Sequence, residues 1–262
     1  MIFVDSNGGQ LCNRIWSYVS IIAYSKFYAK QLVLLDFDEY SQHFPNLSKN
    51  SLIHIFPSEK YGKVYKRISF VLKRLNLSSS FTYDARPKAY VHVSGWDFRF
   101  NTKYLSTETR LLIKSLFTPD HSTIEKCKTL IDSKRIAYDL IVGVHIRRGD
   151  YLEFADGKFY YSDADFLKFM KRILLLTNKR VGFLLCSNES INFEAFSEVN
   201  TFQIDDTDAI EDLYALSLCD YIIGPHSTYT MWSSFYGSTP LKLILNKDEL
   251  FELDDFKVFL DD

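Results

Sequence analysis

Glycine and proline are scarce, 10 and 6 residues in 262, and they never gather into a linker. Composition therefore marks no domain boundary and excludes a collagenous or low-complexity chain. An excess of charge of one sign is lacking too. Lys and Arg number 31 against 33 Asp and Glu, a formal net charge of −2, which removes the global field expected of a nucleic-acid binder; no nucleic-acid partner is expected. No apolar run approaches the roughly 20 residues that span a bilayer. The opening MIFVDSNGGQ has neither a basic n-region nor an apolar h-region, so no cleavable leader is predicted. The four cysteines, Cys12, Cys127, Cys186 and Cys219, are scattered without metal-ligand spacing. That argues against disulfides and structural zinc, and for reduced thiols in a cytoplasmic setting. No motif repeats at a fixed period.

What is present is a large apolar complement, 47% of residues, with 22 Phe and 17 Tyr, enough to bury a sizeable core. Short apolar runs alternate with longer helical patterns. IFV (2–4), a helix over about 13–30 and QLVLL (31–35) make a βαβ opening. The stretch 36–103 is irregular, with a predicted helix at 60–75 and a strand at 89–93. Helices near 107–117 and 121–134 lead into DLIVGVHI (139–146), a buried-strand pattern. There follow a helix opened by the capping box Ser162 to Asp165, a strand at 180–186, a helix near 207–219, strand 221–224, a helix near 227–237 and strand 240–245. This predicts an α/β chain with two halves, 1–135 and 136–262, doubly wound around a cleft. The last 15 residues hold seven Asp and Glu and read as a solvated terminus. Residues 60–75, KYGKVYKRISFVLKRL, carry six basic and no acidic side chains. Their apolar positions can share a helix face, the pattern of a helix lying peripherally on the inner face of a membrane.

In open parallel sheets ligands bind beyond the carboxyl ends of strands, and this sequence places polar residues there. After 139–146 comes Arg147-Arg148-Gly149-Asp150; arginine's planar, permanently charged fork suits a diphosphate. His145 alternates with Ile146, so its side chain and that of Arg147 share a face. After strand 221–224, Ser227 and Thr228 open a helix, whose free N–H groups make an anion site. After the first strand, Gly8-Gly9-Gln10-Leu11-Cys12-Asn13-Arg14 forms a turn that is neither GxGxxG nor a P-loop, although Gly9 lets backbone approach a ligand.

HIRRGDY (145–151), the 214–232 stretch YALSLCDYIIGPHSTYTMW and GGQLCNRIWSY (8–18) together resemble motifs of the α1,2-fucosyltransferase family, glycosyltransferase family 11. The chain is more distantly similar to α1,6- and protein O-fucosyltransferases. The resemblance implies a GT-B-like fold of two Rossmann-like domains facing a cleft, residues 1–135 on the acceptor side and 136–262 holding the nucleotide sugar. It implies inverting, metal-independent transfer of fucose from GDP-fucose to a glycan hydroxyl, α1,2 on galactose, with no cofactor. A glycan or lipid-linked oligosaccharide would be the acceptor. Carried over by motif, Arg147 binds the diphosphate and Arg148 supports the loop or the reaction. His145 and Asp212 lie near the nucleoside, Asp212 accepting from guanine. Ser227 and Thr228 complete the phosphate site, and Asn13 faces the cleft from the first domain. Ser187-Asn188-Glu189 stands where the family has a more acidic element, leaving Asn188 beside the nucleotide. The base for the acceptor hydroxyl is open between Asp150 and Glu153. A transferase using another nucleotide sugar, and a non-catalytic sugar-nucleotide- or glycan-binding protein, are the alternatives.

Overall fold

The computed structural model describes residues 1–6, 8–57, 67, 70–71, 74–75, 78–86 and 90–261, with Ser78–Ser80 described by backbone alone. The basic helix expected at 60–75 lies outside the described residues for most of its length. Residues Met1–Asp120 and His121–Asp262 form two compact units, each built on a five-stranded parallel sheet. The α/β, GT-B-like class read from the sequence is the class observed.

In the first unit the strands are β1 (Ile2–Asp5), β2 (Leu32–Leu34), β3 (Ile53–Ile55), β4 (Ser78–Ser80) and β5 (Tyr90–Ser94), in the order 3-2-1-5-4. Helix α1 (Leu11–Phe27) is apolar on most faces and buries Ile15, Trp16, Val19, Ile22 and Ala23. It lies against the 3-10 turn Gly95–Phe98 so closely that a Cβ on Gly95 would stand 2.4 Å from Ser17 O. The high aromatic content gathers at its C-terminal end, where Tyr24 packs on Tyr28, Phe81, Tyr83 and Tyr104 at centroid distances of 4.8–5.5 Å. Short helices α2 (Asp38–Ser41) and α3 (Pro45–Lys49) and the helix α4 (Thr107–Leu116) complete it.

The second unit begins with α5 (His121–Arg135) and continues with β6 (Leu140–Ile146), α6 (Asp163–Leu175), β7 (Val181–Ser187), β8 (Thr201–Phe202), α7 (Ala209–Ser217), β9 (Tyr221–Pro225), α8 (Thr228–Gly237) and β10 (Leu241–Ile244). Its sheet order is 10-9-6-7-8. The division of the chain falls at 120/121 rather than at 135/136 because α5 is fastened to the second unit. Lys126 pairs with Glu211 at 2.7 Å, Cys127 Sγ donates to Glu211 O at 3.2 Å, and Arg135 pairs with Asp220 at 3.0 Å.

Strand β6 is buried at every residue, as its run of apolar residues, interrupted only by His145, leads one to expect. One of its faces joins Phe166, Phe169, Phe183, Phe196 and Ile223 in the core. The acidic end of the chain departs from expectation: it is docked, not a solvated tail. Phe251 and Phe256 are buried in that core, and Leu241 and Lys257 exchange backbone hydrogen bonds at 2.9 and 3.1 Å. Two apolar residues inside a charged run outweigh the charges around them, which stay at the surface. Helix α7 is capped by Asp208, which closes a capping box with Glu211.

Candidate functional site

The second sheet reverses its winding at β6. The chain leaves β6 for β7 on one side, while β9 pairs with β6 on the other and leads to β10. Crevices in doubly wound sheets open at such a reversal, beyond the carboxyl ends of the two strands. Here those ends carry Arg147-Arg148-Gly149-Asp150 and His226-Ser227-Thr228.

Gly149 has φ +63°, and a Cβ there would meet Asn188 Nδ2 at 3.3 Å, so the sharp turn after β6 needs glycine. Asn188 clamps this turn from β7: its Oδ1 accepts from Arg148 N at 2.9 Å and its Nδ2 donates to Arg148 O at 3.3 Å. The Arg148 side chain is turned into the protein. Its Nε donates to Tyr161 O at 3.2 Å, and its guanidinium pairs with Asp163 and, at 3.2 Å, with Glu189. Burial works against that charge, but the two carboxylates hold its pKa above the ordinary arginine value. Arg147 is differently placed. It is partly buried, its one ionic partner among the described residues is the exposed Asp150 carboxylate at 2.8 Å, and its guanidinium lies 5.5 Å from the Tyr151 ring centre.

Ser227 is the N-cap of α8, its Oγ accepting from Tyr229 N at 3.2 Å, and Thr228 is the first helical residue. Tyr151 ties the two strand ends together by donating to His226 O at 2.7 Å. Phe159 stacks on the His226 ring with centroids 5.5 Å apart. His145 is buried at the end of β6 and stacked on Tyr229 at 4.8 Å. Its Nδ1 has no hydrogen-bond partner among the described residues. Burial, with a smaller contribution from the Arg147 charge, lowers its pKa to about 3, so the ring is neutral at physiological pH.

Beside this turn, a cavity of about 640 Å³ is lined by Ser187, Asn188, Glu189, Gln203, Thr207 and Asp212 among others. Asp212 is buried on α7, and Thr207 Oγ1 donates to its Oδ1 at 3.0 Å. Burial raises its pKa to about 6, against the opposing hydrogen bond from Thr207. A buried carboxylate of raised pKa lining a cavity marks a candidate binding position.

His145, Arg147, Arg148, Asp150, Asn188, Asp212, Ser227 and Thr228 thus all belong to the second unit, joined through the Asn188 clamp and the Tyr151 bridge. Glu153 ends the 3-10 turn after Gly149. Gly9 and Asn13 belong to the first unit. Gly9 has φ +88°, and a Cβ there would lie 3.0 Å from Asn13 Cβ; Asn13 Oδ1 accepts from Arg99 Nη1 at 3.2 Å. Sequence patterning did not single out Tyr151, Thr207 or Tyr229; nothing in the spacing distinguishes an aromatic that bridges two loops from one that fills a core. Among the described residues no group of three or more His, Cys, Asp or Glu is placed to hold a metal ion, and no helix is long and apolar enough to cross a membrane.

Compared by sequence with curated proteins, the chain matches none. By structure it is similar to fucosyltransferase NodZ from Bradyrhizobium, with TM-score 0.59, 13% identity, and coverage of 97% of this chain and 96% of that one. It is also similar to an Arabidopsis thaliana FUT1 mutant in complex with GDP, with TM-score 0.57, 13% identity, and coverage of 94% and 70%. POFUT1 in complex with GDP gives TM-score 0.56, 11% identity, and coverage of 93% and 98%. At these identities the likeness shows the fold. The family model of glycosyl transferase family 11 matches residues 121–252, half of the chain and nearly all of the unit that carries the arginine turn. The HIRRGDY turn, the capped helix after β9 and this match lead to one conclusion: the chain belongs to glycosyl transferase family 11.

Proposed function

We propose that the protein transfers fucose from GDP-fucose to a hydroxyl of a glycan, by an inverting, metal-independent reaction that forms an α1,2 linkage to galactose. The observation that carries this reading is Arg147 at the sheet reversal. It is a partly buried guanidinium whose one ionic partner among the described residues is an exposed carboxylate, in the same crevice as the capped N-terminus of α8. The family's type of reaction and the GDP or GDP-fucose bound by structural relatives support GDP-fucose as the donor.

In this reading the second unit holds the donor and the first the acceptor. The guanine occupies the cavity beside Asn188, where the Asp212 carboxylate accepts from its N–H groups. The diphosphate displaces Asp150 from Arg147 and meets the N–H groups of α8, with Ser227 Oγ beside them, an acceptor from Tyr229 N and a hydrogen-bond partner of Tyr151. As the C1–O bond of fucose lengthens, negative charge grows on the β-phosphate. A preorganised guanidinium and helix N-terminus stabilise it there without having to reorganise. Arg148, fastened by Tyr161, Asp163 and Glu189, keeps the turn in place and does not itself reach the phosphate. His145, neutral and stacked, forms the floor against which the nucleoside rests. Inversion delivers the acceptor oxygen from the face opposite the diphosphate. Asp150, on the phosphate side beside Arg147, therefore serves better as the counter-ion released on donor binding than as the base.

The test is turnover of GDP-fucose in EDTA with a β-galactoside acceptor, the product linkage read by NMR. An α-configured fucose on galactose O2 is expected. Transfer only from a UDP- or CMP-sugar would overturn the donor assignment, and tight nucleotide binding without any turnover would favour a binding protein.

A further inference from the structure

The first sheet also reverses its winding, at β1, which pairs with β2 on one side and β5 on the other. The crevice position beyond the carboxyl ends of β1 and β5 is occupied by the Gly8–Asn13 turn and by Gly95–Phe100. There the guanidinium of Arg99 lies over Trp96, its central carbon 3.4 Å from the ring centre. One N–H, from Nη1, goes to Asn13 Oδ1 at 3.2 Å. Nε is shut from solvent and has no hydrogen-bond partner among the described residues. Four other partly buried arginines, Arg14, Arg147, Arg148 and Arg172, each have a carboxylate within 3.2 Å. Arg99 has none among the described residues, and burial alone acts on its charge, lowering its pKa.

A partly buried cation with a buried, unpartnered N–H and one neutral acceptor calls for an explanation, and a ligand that supplies the missing charge is one. The surroundings hold it there. Trp96 is 42% exposed, so the stacked pair reaches the surface. The next residue, Phe100, takes a left-handed φ of +63° and packs on the fully buried Trp16 at 5.1 Å. Non-glycine backbone of that kind persists only where its neighbours over-determine it.

We infer that Arg99, stacked on Trp96 and oriented by Asn13, is an oxyanion site of the first unit, and that the glycan acceptor carries a carboxylate or phosphate group that this site binds. The inference rests on the reading of the first unit as the acceptor side. It narrows the acceptor from a glycan of any charge to an acidic one. A planar guanidinium already stacked and tethered offers its remaining donors to a carboxylate or phosphate with little further loss of freedom. A neutral sugar hydroxyl would leave the charge uncompensated.

Trp16 and Trp232 are fully buried, so quenching of the exposed Trp96 reports ligands arriving at Arg99. The experiment titrates glucuronate, glucose 6-phosphate and glucose against the wild-type chain, Arg99→Gln and Arg99→Lys, with GDP calorimetry on the same samples. The wild type is expected to bind the two acidic sugars at least tenfold more tightly than glucose. Arg99→Gln should abolish the preference, Arg99→Lys should keep part of it, and GDP affinity should stay within about twofold in all three. Equal affinity of the wild type for acidic and neutral sugars overturns the inference. A tenfold loss of GDP affinity in Arg99→Gln overturns it in another way, by giving the site to the donor's diphosphate. Absence of GDP binding to the wild type would instead sink the donor reading, while the acid preference would still be read separately. Melting curves of the variants show whether a lost preference reflects lost structure, and in that case the partial retention expected of Arg99→Lys decides.

Discussion

Asp212 and His145 are buried ionisable groups whose environments push them in opposite directions along the pH scale. The Asp212 carboxyl is lifted to about 6 by burial, so its ionised form destabilises the empty protein as pH rises from the ordinary carboxylate range towards 6. In the proposed donor complex the same ionised form accepts from guanine. GDP affinity is therefore expected to fall about tenfold per pH unit below pH 6. Asp212→Asn should flatten that dependence and weaken GDP by about 10- to 100-fold, the worth of a hydrogen bond to a charged group. Calorimetry across pH 4.5–8 checks both; a wild-type affinity independent of pH would contradict the role. His145 is depressed to about 3, so it favours folding while neutral. That contribution is complete above pH 6.5 and is lost as pH falls from 6.5 to about 3, at about 1.4 kcal/mol per pH unit. In urea unfolding followed across that range, His145→Gln is expected to lack this one-proton slope.

At the scale of elements, the turn after β6 is where backbone and side chains depend on one another most closely. Gly149 supplies the left-handed turn, Asn188 clamps both backbone groups of Arg148, and the Arg148 fork ties the turn to Tyr161, Asp163 and Glu189. Arg148→Ala is expected to cost about 1–2 kcal/mol in urea unfolding, the pairs being partly exposed. Arg148→Lys should recover little of it, since an ammonium cannot serve three acceptors in that fork. A wild-type-like unfolding curve for Arg148→Ala would show that the fork is not what holds the turn.

Much of this was legible in the chain: the largely apolar β6, the helices at 107–116, 121–135 and 163–175, and Ser227 at a helix start all follow from periodicity and capping chemistry. β3, α2 and α3 were not, because three- to five-residue elements carry too few periods to be told from a loop. The docked tail was missed because composition over 248–262 hides Phe251 and Phe256 among acids. Arg148's inward turn was missed because its partners, Asp163 and Glu189, are distant in sequence and are set by tertiary packing. The resemblance in HIRRGDY pointed to the arginine turn, but only the geometry separates Arg147, with an exposed counter-ion, from Arg148, fully engaged.

For the whole molecule, the two units share an architecture and differ in what they place at the reversal of the sheet. The second puts Arg147, a capped helix start and a cavity with a destabilised carboxylate there. The first puts a glycine turn, Asn13 and an uncompensated Arg99 there. The proposed donor site in the second unit makes nucleotide binding the property on which the account depends. The most direct test is calorimetric titration of GDP, UDP and CMP in EDTA against the wild type and Arg147→Ala. Selective binding of GDP to the wild type, weakened at least 100-fold in Arg147→Ala while its melting curve stays cooperative, is the predicted result. A preference for UDP or CMP, or GDP affinity unchanged by Arg147→Ala, would contradict the account.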